Sequence, residues 1–206
     1  LVAAGKIPEA YALVRRRCPF PGVSGRVCPH PCQTPCNRVP LGGAVGFGNL
    51  ERFVGDYALA HPDAVPRPAP PARLSDARIA VVGGGPSGLT AASDLALLGY
   101  GVTLFEAEPQ LGGMLRYGIP EFRLPREVLD AEIRDIVNLG VEVRTGTKIS
   151  WLKDLLEGGA QPGAGDRFQA VFVATGAWGG RKLGIPGEEA QGVMAALSFL
   201  RDVNDG

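Results

Sequence analysis

The 206-residue sequence has no long apolar run, no net charge and no cysteine outside one short segment. No apolar stretch reaches the roughly 20 residues that a membrane-spanning helix requires, and no signal peptide is recognisable. Basic and acidic side chains number 21 each, so the composition does not favour binding to nucleic acid or to an anionic membrane. The first residue is not methionine and the opening residues already have helical character, so we expect further sequence upstream.

All four cysteines lie between Cys18 and Cys36, and the rest of the chain has none. A disulfide framework would spread its cysteines over the whole fold. Cysteines gathered in one segment are typical of a metal or iron–sulfur site in a reducing compartment. We therefore expect such a site and a cytoplasmic location.

A proline-rich stretch divides the sequence into two units. We predict a helical domain over residues 1–61, a semi-rigid linker over 62–77 and a second domain over 78–206. In the second domain, short β-branched runs alternate with helical patterns, such as those at 86–99 and 126–139. This alternation predicts a doubly wound, Rossmann-like α/β fold.

The local signals outside these elements are weaker. Helices are predicted around Pro8 and from Asn49, which we expect to cap the second of them. Residues 18–48 are rich in proline and glycine and have little periodicity, so regular structure is not expected there. We expect the basic run at 15–17 to be a solvated helix end and the glycine-rich stretch at 158–165 to be a flexible surface loop.

A G-x-G-x-x-G motif formed by Gly83, Gly85 and Gly88 follows the first predicted strand and opens the next helix. The first glycine allows the tight turn, the second lets the backbone approach a pyrophosphate, and the third lets helix and strand pack closely. The pyrophosphate of a dinucleotide then faces the N–H groups at the helix start. Glu106 ends the second predicted strand, where its carboxylate can accept hydrogen bonds from ribose hydroxyls. The same carboxylate argues against NADP at this site, because it would repel a 2′-phosphate.

Further segments resemble one family of flavoproteins. EAEPQLGGMLRYGIPEFRLP at 106–125 is similar to the segment after the second strand in the small subunit of glutamate synthase and in the flavin–iron-sulfur part of dihydropyrimidine dehydrogenase. AVFVATGAW at 170–178 resembles a late strand of two-dinucleotide flavoproteins, and KLGIPGEEAQGVMAALSFL at 182–200 fits the same family. The resemblance implies that the dinucleotide is FAD.

The resemblance also implies a role for individual positions in FAD binding. The glycine turn would hold the pyrophosphate, Glu106 the ribose, and Ile149 the adenine through its backbone. Arg123 would contact the cofactor, although by itself it reads as a surface charge beside a proline turn. The complete implied set is Gly83, Gly84, Gly85, Pro86, Ser87, Gly88, Glu106, Gly113, Met114, Arg123, Ile149, Ala174, Thr175 and Gly176, of which Gly113 and Met114 approach the flavin.

The cysteines are separated by nine, three and three residues. This spacing differs from the bacterial ferredoxin run, although proline follows Cys18 and Cys28 as it follows a cluster cysteine there. Thiolates in a coil rich in proline and glycine suit an iron–sulfur centre. Zinc held by three cysteines and His30 is an alternative, and so are cysteines with no ligand at all.

The cysteine segment resembles the same family. VSGRVCPHPCQTPCNR at 23–38 is similar to its CGRVCPxPCExxC signature, whose members hold two [4Fe-4S] clusters. The resemblance assigns Cys28 and Cys32 to one cluster, with Glu51 as a possible companion ligand, and Cys36 to the other. Ser24 stands where the signature has its first cysteine, and Cys18 is an additional candidate ligand. Four cysteines cannot complete two clusters, so we expect residues outside this sequence to contribute.

The function implied is electron transfer between a pyridine nucleotide, FAD and iron–sulfur clusters that lead to a partner subunit. A second glycine-rich nucleotide motif is absent, so NAD(P)H is expected to bind in a part of the protein outside this sequence. No redox-active cysteine pair accompanies the flavin segment, which disfavours a disulfide reductase, and no side chain is predicted to be catalytic. Alternatives are a structural FAD-binding scaffold and a zinc-stabilised interaction module.

Overall fold

The computed structural model describes residues 1–73, 75–158 and 167–205, so the loop predicted at 158–165 lies, except for Gly158, outside the described residues. None of the described helices is long and apolar enough to cross a membrane. The helices are α1 Ile7–Arg15, α2 Pro21–Val27, α3 Phe47–Ala60, α4 Pro86–Leu97, α5 Met114–Tyr117, α6 Arg126–Val137, α7 Leu152–Glu157 and α8 Ala196–Asp205. The strands are β1 Arg78–Val82, β2 Gly101–Phe105, β3 Glu142–Arg144 and β4 Ala170–Val173.

The four strands form one parallel sheet in the order β3-β2-β1-β4. Helix α4 connects β1 to β2, and α6 lies in the connection from β2 to β3. The chain then returns to the other side of β1, so the strand order reverses between β1 and β4. This arrangement confirms the predicted doubly wound α/β fold, in which ligands bind at the carboxyl ends of the strands beside such a reversal.

Helices α4 and α6 begin where the sequence predicts and end two residues before the predicted ends. Pro86 occupies the first turn of α4, and Pro125 directly precedes α6, where its fixed φ suits a helix start. Gly99 and Gly140, with φ of 83° and 90°, turn the chain after each helix in a conformation that favours glycine. Apolar residues of both helices are buried against the sheet in one core, with Leu89 and Leu129 wholly inaccessible to solvent.

Helix α2 is absent from the sequence prediction, because its glycines disfavour a helix when judged in isolation. The structure shows why small residues are needed there. A Cβ on Gly25 would lie 2.3 Å from the backbone nitrogen of Arg52, and one on Gly55 would lie 2.5 Å from that of Gly22. The two backbones of α2 and α3 therefore touch directly. Helix α3 begins at Phe47 after Gly46, so the prediction that Asn49 caps it is wrong.

Part of the helical unit packs into the core of the α/β unit. Phe20 and Val23 belong to the same buried cluster as Leu89 and Leu129. Beside this contact, Arg67 of the predicted linker forms an ion pair with Asp135 of α6 and donates a hydrogen bond to a backbone carbonyl of α3. The proline-rich stretch is thus held against both units, while its predicted boundaries stay predictions.

Glu132 of α6 makes the most specific contact between the units. Its Oε1 accepts a hydrogen bond from the backbone nitrogen of Gly22 at 2.7 Å, and its Oε2 accepts one from that of Val23 at 3.0 Å. These donors lie in the first turn of α2, which has no side-chain cap of its own. A carboxylate from one unit therefore caps a helix of the other.

Burial dominates the ionisation of Glu132. Loss of solvent raises its pKa from 4.5 to about 7, although the two N–H donors and the charge of Arg15 act in the opposite direction. Asp135 adds a smaller upward contribution. Arg15 is itself buried and donates to the carbonyl of Pro19, so the predicted solvated helix end is wrong for Arg15, whereas Arg16 and Arg17 are exposed.

We predict that stability depends on pH through Glu132. Its pKa is raised on folding, so the folded state keeps a proton that the unfolded state has lost. The free energy of unfolding should then fall as pH rises from 4.5 to about 7, by on the order of 3 kcal/mol, and level off above. Urea unfolding of Glu132→Gln should lack this slope. Glu127→Gln, an exposed change on the same helix, should keep it, and an unchanged slope in Glu132→Gln would contradict the assignment.

Candidate functional site

A cavity of about 690 Å³ lies at the carboxyl ends of β1, β2 and β4, beside the reversal of strand order. Its walls come from the loops that follow these strands and from the start of α4. Most of the lining is apolar, with a small number of polar groups among it, which is typical of a small-molecule or cofactor site. The lining residues are Val82, Gly83, Gly85, Pro86, Ser87, Phe105, Glu106, Ala107, Glu108, Gly113, Met114, Thr147, Lys148, Ile149, Ala174, Thr175, Gly176 and Trp178.

The three motif glycines differ in how much space the surrounding atoms leave for a side chain. A Cβ on Gly83, whose φ is 109°, would lie 2.2 Å from the carbonyl oxygen of Ala174. A Cβ on Gly88 would lie 1.8 Å from the carbonyl oxygen of Gly83. At Gly85 φ is −78°, and the added atom would meet only the Cα of Gly113 at 3.8 Å. Packing therefore requires glycine at 83 and 88, whereas at 85 it leaves space that opens into the cavity.

Glu106 connects the walls of the cavity. It is 6% exposed, and its Oε2 accepts a hydrogen bond from the backbone nitrogen of Gly84 at 2.6 Å. Its Oε1 accepts one from the backbone nitrogen of Glu108 at 2.8 Å. An ionised carboxylate has about four acceptor positions, so each oxygen retains room for a second donor such as a hydroxyl.

These features fit the ADP part of FAD. The cavity has the size of a cofactor site, and no side chain caps the twelve-residue helix α4 whose start faces it. N–H groups at such a helix start suit a phosphate, and the space beside Gly85 lets a ligand reach the backbone. The carboxylate of Glu106 offers acceptors for hydroxyl groups at the opposite wall.

The structure brings most of the predicted FAD-binding residues together. Three of them lie outside the lining: Gly84 lies beneath it between Glu106 and Leu111, Gly88 packs on the turn, and Arg123 is exposed. A direct role in binding stays a prediction for every member of the set. The eleven that line the cavity are Gly83, Gly85, Pro86, Ser87, Glu106, Gly113, Met114, Ile149, Ala174, Thr175 and Gly176.

Sequence reasoning missed several lining residues. Glu108 follows β2, Thr147 and Lys148 follow β3, and Trp178 follows β4. The available signal was position alone, because the carboxyl ends of parallel strands meet at one edge of the sheet. Side-chain type did not distinguish these residues from ordinary loop residues.

The four cysteines are free thiols near the ends of short helical elements. Cys28 directly follows α2, and Cys32 lies in a 3₁₀ turn at Pro31–Gln33. Backbone hydrogen bonds from Val45 and Arg38 lower the pKa of the Cys36 thiol, which favours the thiolate form that binds metals. Cys28, Cys32 and Cys36 thus follow α2 at its end away from Glu132.

Cys18 lies close to Ser24, which also contacts the predicted ligand Glu51. Its Sγ is 3.3 Å from the Oγ of Ser24, which donates a hydrogen bond to Oε2 of Glu51 at 3.1 Å. The residue that replaces the first cysteine of the signature therefore lies between two other candidate ligands. Burial raises the pKa of the Cys18 thiol, partly offset by the hydrogen bond to Ser24.

Within residues 1–73, 75–158 and 167–205, no three cysteine, histidine or acidic side chains converge as metal ligands would. The Nε2 atom of His30 is buried without a hydrogen-bond partner, and a Cβ on Gly48 would lie 1.7 Å from it. His30 thus packs against α3, and the geometry does not bring its ring to three thiols.

Comparison with known families supports both halves of this description. Residues 1–62 match the domain described as dihydropyrimidine dehydrogenase domain II, 4Fe-4S cluster. Residues 37–157 and 77–205 match the pyridine nucleotide-disulphide oxidoreductase family. The first match favours an iron–sulfur centre over the zinc alternative, and the second confirms a flavin and pyridine-nucleotide fold.

Curated relatives extend along nearly the whole chain. The beta subunit of the NADP(+)-dependent formate dehydrogenase of Moorella thermoacetica is 38% identical over 97% of this chain and 30% of its own length. The beta subunit of the NADPH-Fe(3+) oxidoreductase of Geobacter sulfurreducens is 38% identical over 96% of this chain and 29% of its own length. The small chain of the NADPH glutamate synthase of Mycobacterium tuberculosis is 37% identical over 97% of this chain and 39% of its own length. This chain therefore spans less than two fifths of the length of these relatives.

A solved structure shares the fold of part of this chain. The FprA oxidoreductase of Mycobacterium tuberculosis superposes with a TM-score of 0.52 at 26% identity, over 63% of this chain and 29% of that one. The match with glutamate synthase confirms the resemblance inferred from the motifs. The chain belongs to the pyridine nucleotide-disulphide oxidoreductase family and carries the 4Fe-4S domain at its N-terminal end.

Proposed function

We propose that this chain is the cluster- and flavin-binding part of an NADPH-dependent electron-transfer oxidoreductase that works with a partner subunit. The observation that carries the proposal is the double attachment of α2. Its first turn is bound by Glu132 of the dinucleotide-binding domain, and its last residue directly precedes Cys28. Seven helical residues span roughly 10 Å, so the thiol is held close to the flavin-binding domain.

The relatives support the same chemistry. The three described above are subunits or chains of enzymes named for NADP or NADPH. Since the present chain covers a minority of each, we assign the complete reaction to the whole polypeptide and its partners. The pyridine nucleotide then binds elsewhere in the protein, because the glycine turn at 83–88 is occupied by FAD in this proposal. Four free thiols are consistent with a cytoplasmic location.

At residue level, we assign the FAD contacts to the cavity. The start of α4 with Gly85 and Ser87 binds the pyrophosphate, and Glu106 accepts hydrogen bonds from the ribose. Gly113 and Met114 form the wall on the flavin side, and the segment 174–176 closes the opposite wall. FAD takes up electron pairs from a pyridine nucleotide and releases them singly to iron–sulfur centres. The protein residues bind and orient the cofactor and exclude water.

The cluster ligands proposed are Cys28, Cys32 and Cys36, with Glu51 and Cys18 as further candidates. The described residues do not complete a ligand set, so we propose that other segments of the full protein or a partner chain supply the remaining thiolates.

The full-length protein purified without oxygen tests the function. We expect bound FAD, iron and acid-labile sulfide, and loss of the oxidised flavin absorption on addition of NADPH. Cys28→Ser should lower sulfide content and leave flavin content unchanged. Zinc without sulfide would contradict the cluster assignment, and flavin that NADPH cannot reduce would indicate a scaffold instead of an oxidoreductase.

Two glycine variants separate binding from folding. Gly85→Ala places a methyl group in free space within the cavity, so stability should change by less than about 0.5 kcal/mol while FAD affinity falls roughly tenfold. Gly88→Ala forces a backbone clash, so it should lower the free energy of unfolding by roughly 2 kcal/mol or more. Thermal unfolding of the apoprotein and FAD titration measure the two effects. Equal FAD affinity in Gly85→Ala and the unchanged protein would remove the pyrophosphate from this turn.

Removal of the Glu106 carboxylate should lower both the free energy of unfolding and the retention of FAD. Glu106→Ala leaves the N–H groups of Gly84 and Glu108 without an acceptor, which costs roughly 1–3 kcal/mol for each donor that stays buried. It also removes the ribose acceptor, so FAD retention through gel filtration should drop. Glu127→Ala, an exposed acidic change, serves as the control. Full flavin retention in Glu106→Ala would refute the ribose contact.

A further inference from the structure

Arg201 of α8 contacts both sides of the FAD cavity from outside its lining. Its Nη2 lies 2.5 Å from Oε2 of Glu108, in an ion pair between partly exposed side chains. The guanidinium carbon also lies 5.6 Å from the ring centre of Tyr117 and 5.7 Å from that of Trp178. A single cation therefore interacts with a carboxylate and two aromatic rings.

Two of these partners belong to opposite walls of the cavity. Glu108 follows β2 and donates its backbone N–H to Glu106, whereas Trp178 follows β4 and donates its indole N–H to the carbonyl of Thr175 at 3.1 Å. Each residue is thus hydrogen-bonded to one already assigned to FAD binding, Glu108 through its backbone and Trp178 through its side chain. Arg201 therefore connects the loop after β2 to the loop after β4.

Helix α8 is fixed at this position by a second contact. Nδ2 of Asn204 donates a hydrogen bond to the carbonyl of Tyr117 at 3.0 Å, and its Oδ1 accepts one from Arg126 at 2.7 Å. Tyr117 is 4% exposed, and its ring lies 5.8 Å from that of Trp178. The side chains of Arg201 and Trp178 therefore both pack against the buried ring of Tyr117.

We propose that Arg201 is a positioning residue for FAD, holding the Glu108 and Trp178 walls together and offsetting the negative charge of Glu108. The inference rests on the proposed FAD site. Glu106 and Glu108 both line the cavity, and the pyrophosphate of FAD is an anion. An unpaired Glu108 carboxylate would repel the cofactor, and the adjacent guanidinium reduces this repulsion.

The geometry requires arginine in particular. A planar guanidinium can stack on aromatic rings while its N–H groups bind a carboxylate, whereas a lysine ammonium supplies only a point charge. Arg201→Lys should therefore keep the charge compensation and lose the stacking. Arg201→Met loses both, while retaining an apolar chain of similar length.

Titration of the FAD-depleted full-length protein with FAD tests the inference. Arg201→Met should bind FAD roughly five-fold more weakly, a size set by the partial exposure of the ion pair, and Arg201→Lys should fall between it and the unchanged protein. Glu108→Gln added to Arg201→Met should restore most of the affinity, because it removes the charge that Arg201 offsets. Arg134→Met, an exposed change on α6, is the matched control and should bind as the unchanged protein does.

The indole emission of Trp178, measured in a Trp151→Phe background, supplies a second readout. Quenching of this emission by bound FAD should weaken in Arg201→Met. In the double variant the quenching should recover less than the FAD affinity does, because the guanidinium beside the indole ring stays absent. Unchanged FAD affinity in Arg201→Met, or no recovery on adding Glu108→Gln, would overturn the positioning role. Failure of the unchanged protein to bind FAD would instead refute the proposed function itself.

Discussion

The structure depends on one buried carboxylate, Glu132, which binds the first turn of α2 across the boundary between two domains. A helix of seven residues has little stability alone, and the glycines that let α2 touch α3 weaken it further. The carboxylate supplies acceptors that the local sequence lacks. The position of Cys28 at the other end of α2 follows from this contact, and so does its distance from the dinucleotide fold.

Glycines, which have no side chain, are needed in both domains of the molecule, but for different reasons. In the helical domain, Gly25 and Gly55 allow backbone to touch backbone, so that two helices share a tight interface. In the dinucleotide-binding turn, Gly83 and Gly88 serve the same packing purpose, whereas Gly85 keeps a space open for a ligand. A glycine of the motif thus serves either close packing or ligand access. The sequence does not distinguish these two roles, but the atoms around each glycine do.

The sequence predicts the α/β domain well because its signals are local. Strand and helix periods, the proline before α6 and the glycines after each helix are encoded by neighbouring residues. Helix α2, the buried Arg15 and the capping role of Glu132 were missed, since each depends on a partner distant in the chain. The lining position of Trp178 was missed for a different reason: AVFVATGAW identifies a strand and the loop after it, but does not show which loop side chains face the cavity.

Phe20 and Val23 lie within the core of the dinucleotide-binding domain, although they belong to the cysteine-bearing one. The boundary between the two sequence families is therefore not a boundary in the packing. An exchange of the first 61 residues between relatives would leave a cavity or an overpacked contact unless these two side chains and the surface that receives them on α6 were transferred together. The two modules are separable as sequence units, but at Phe20 and Val23 they share one hydrophobic cluster.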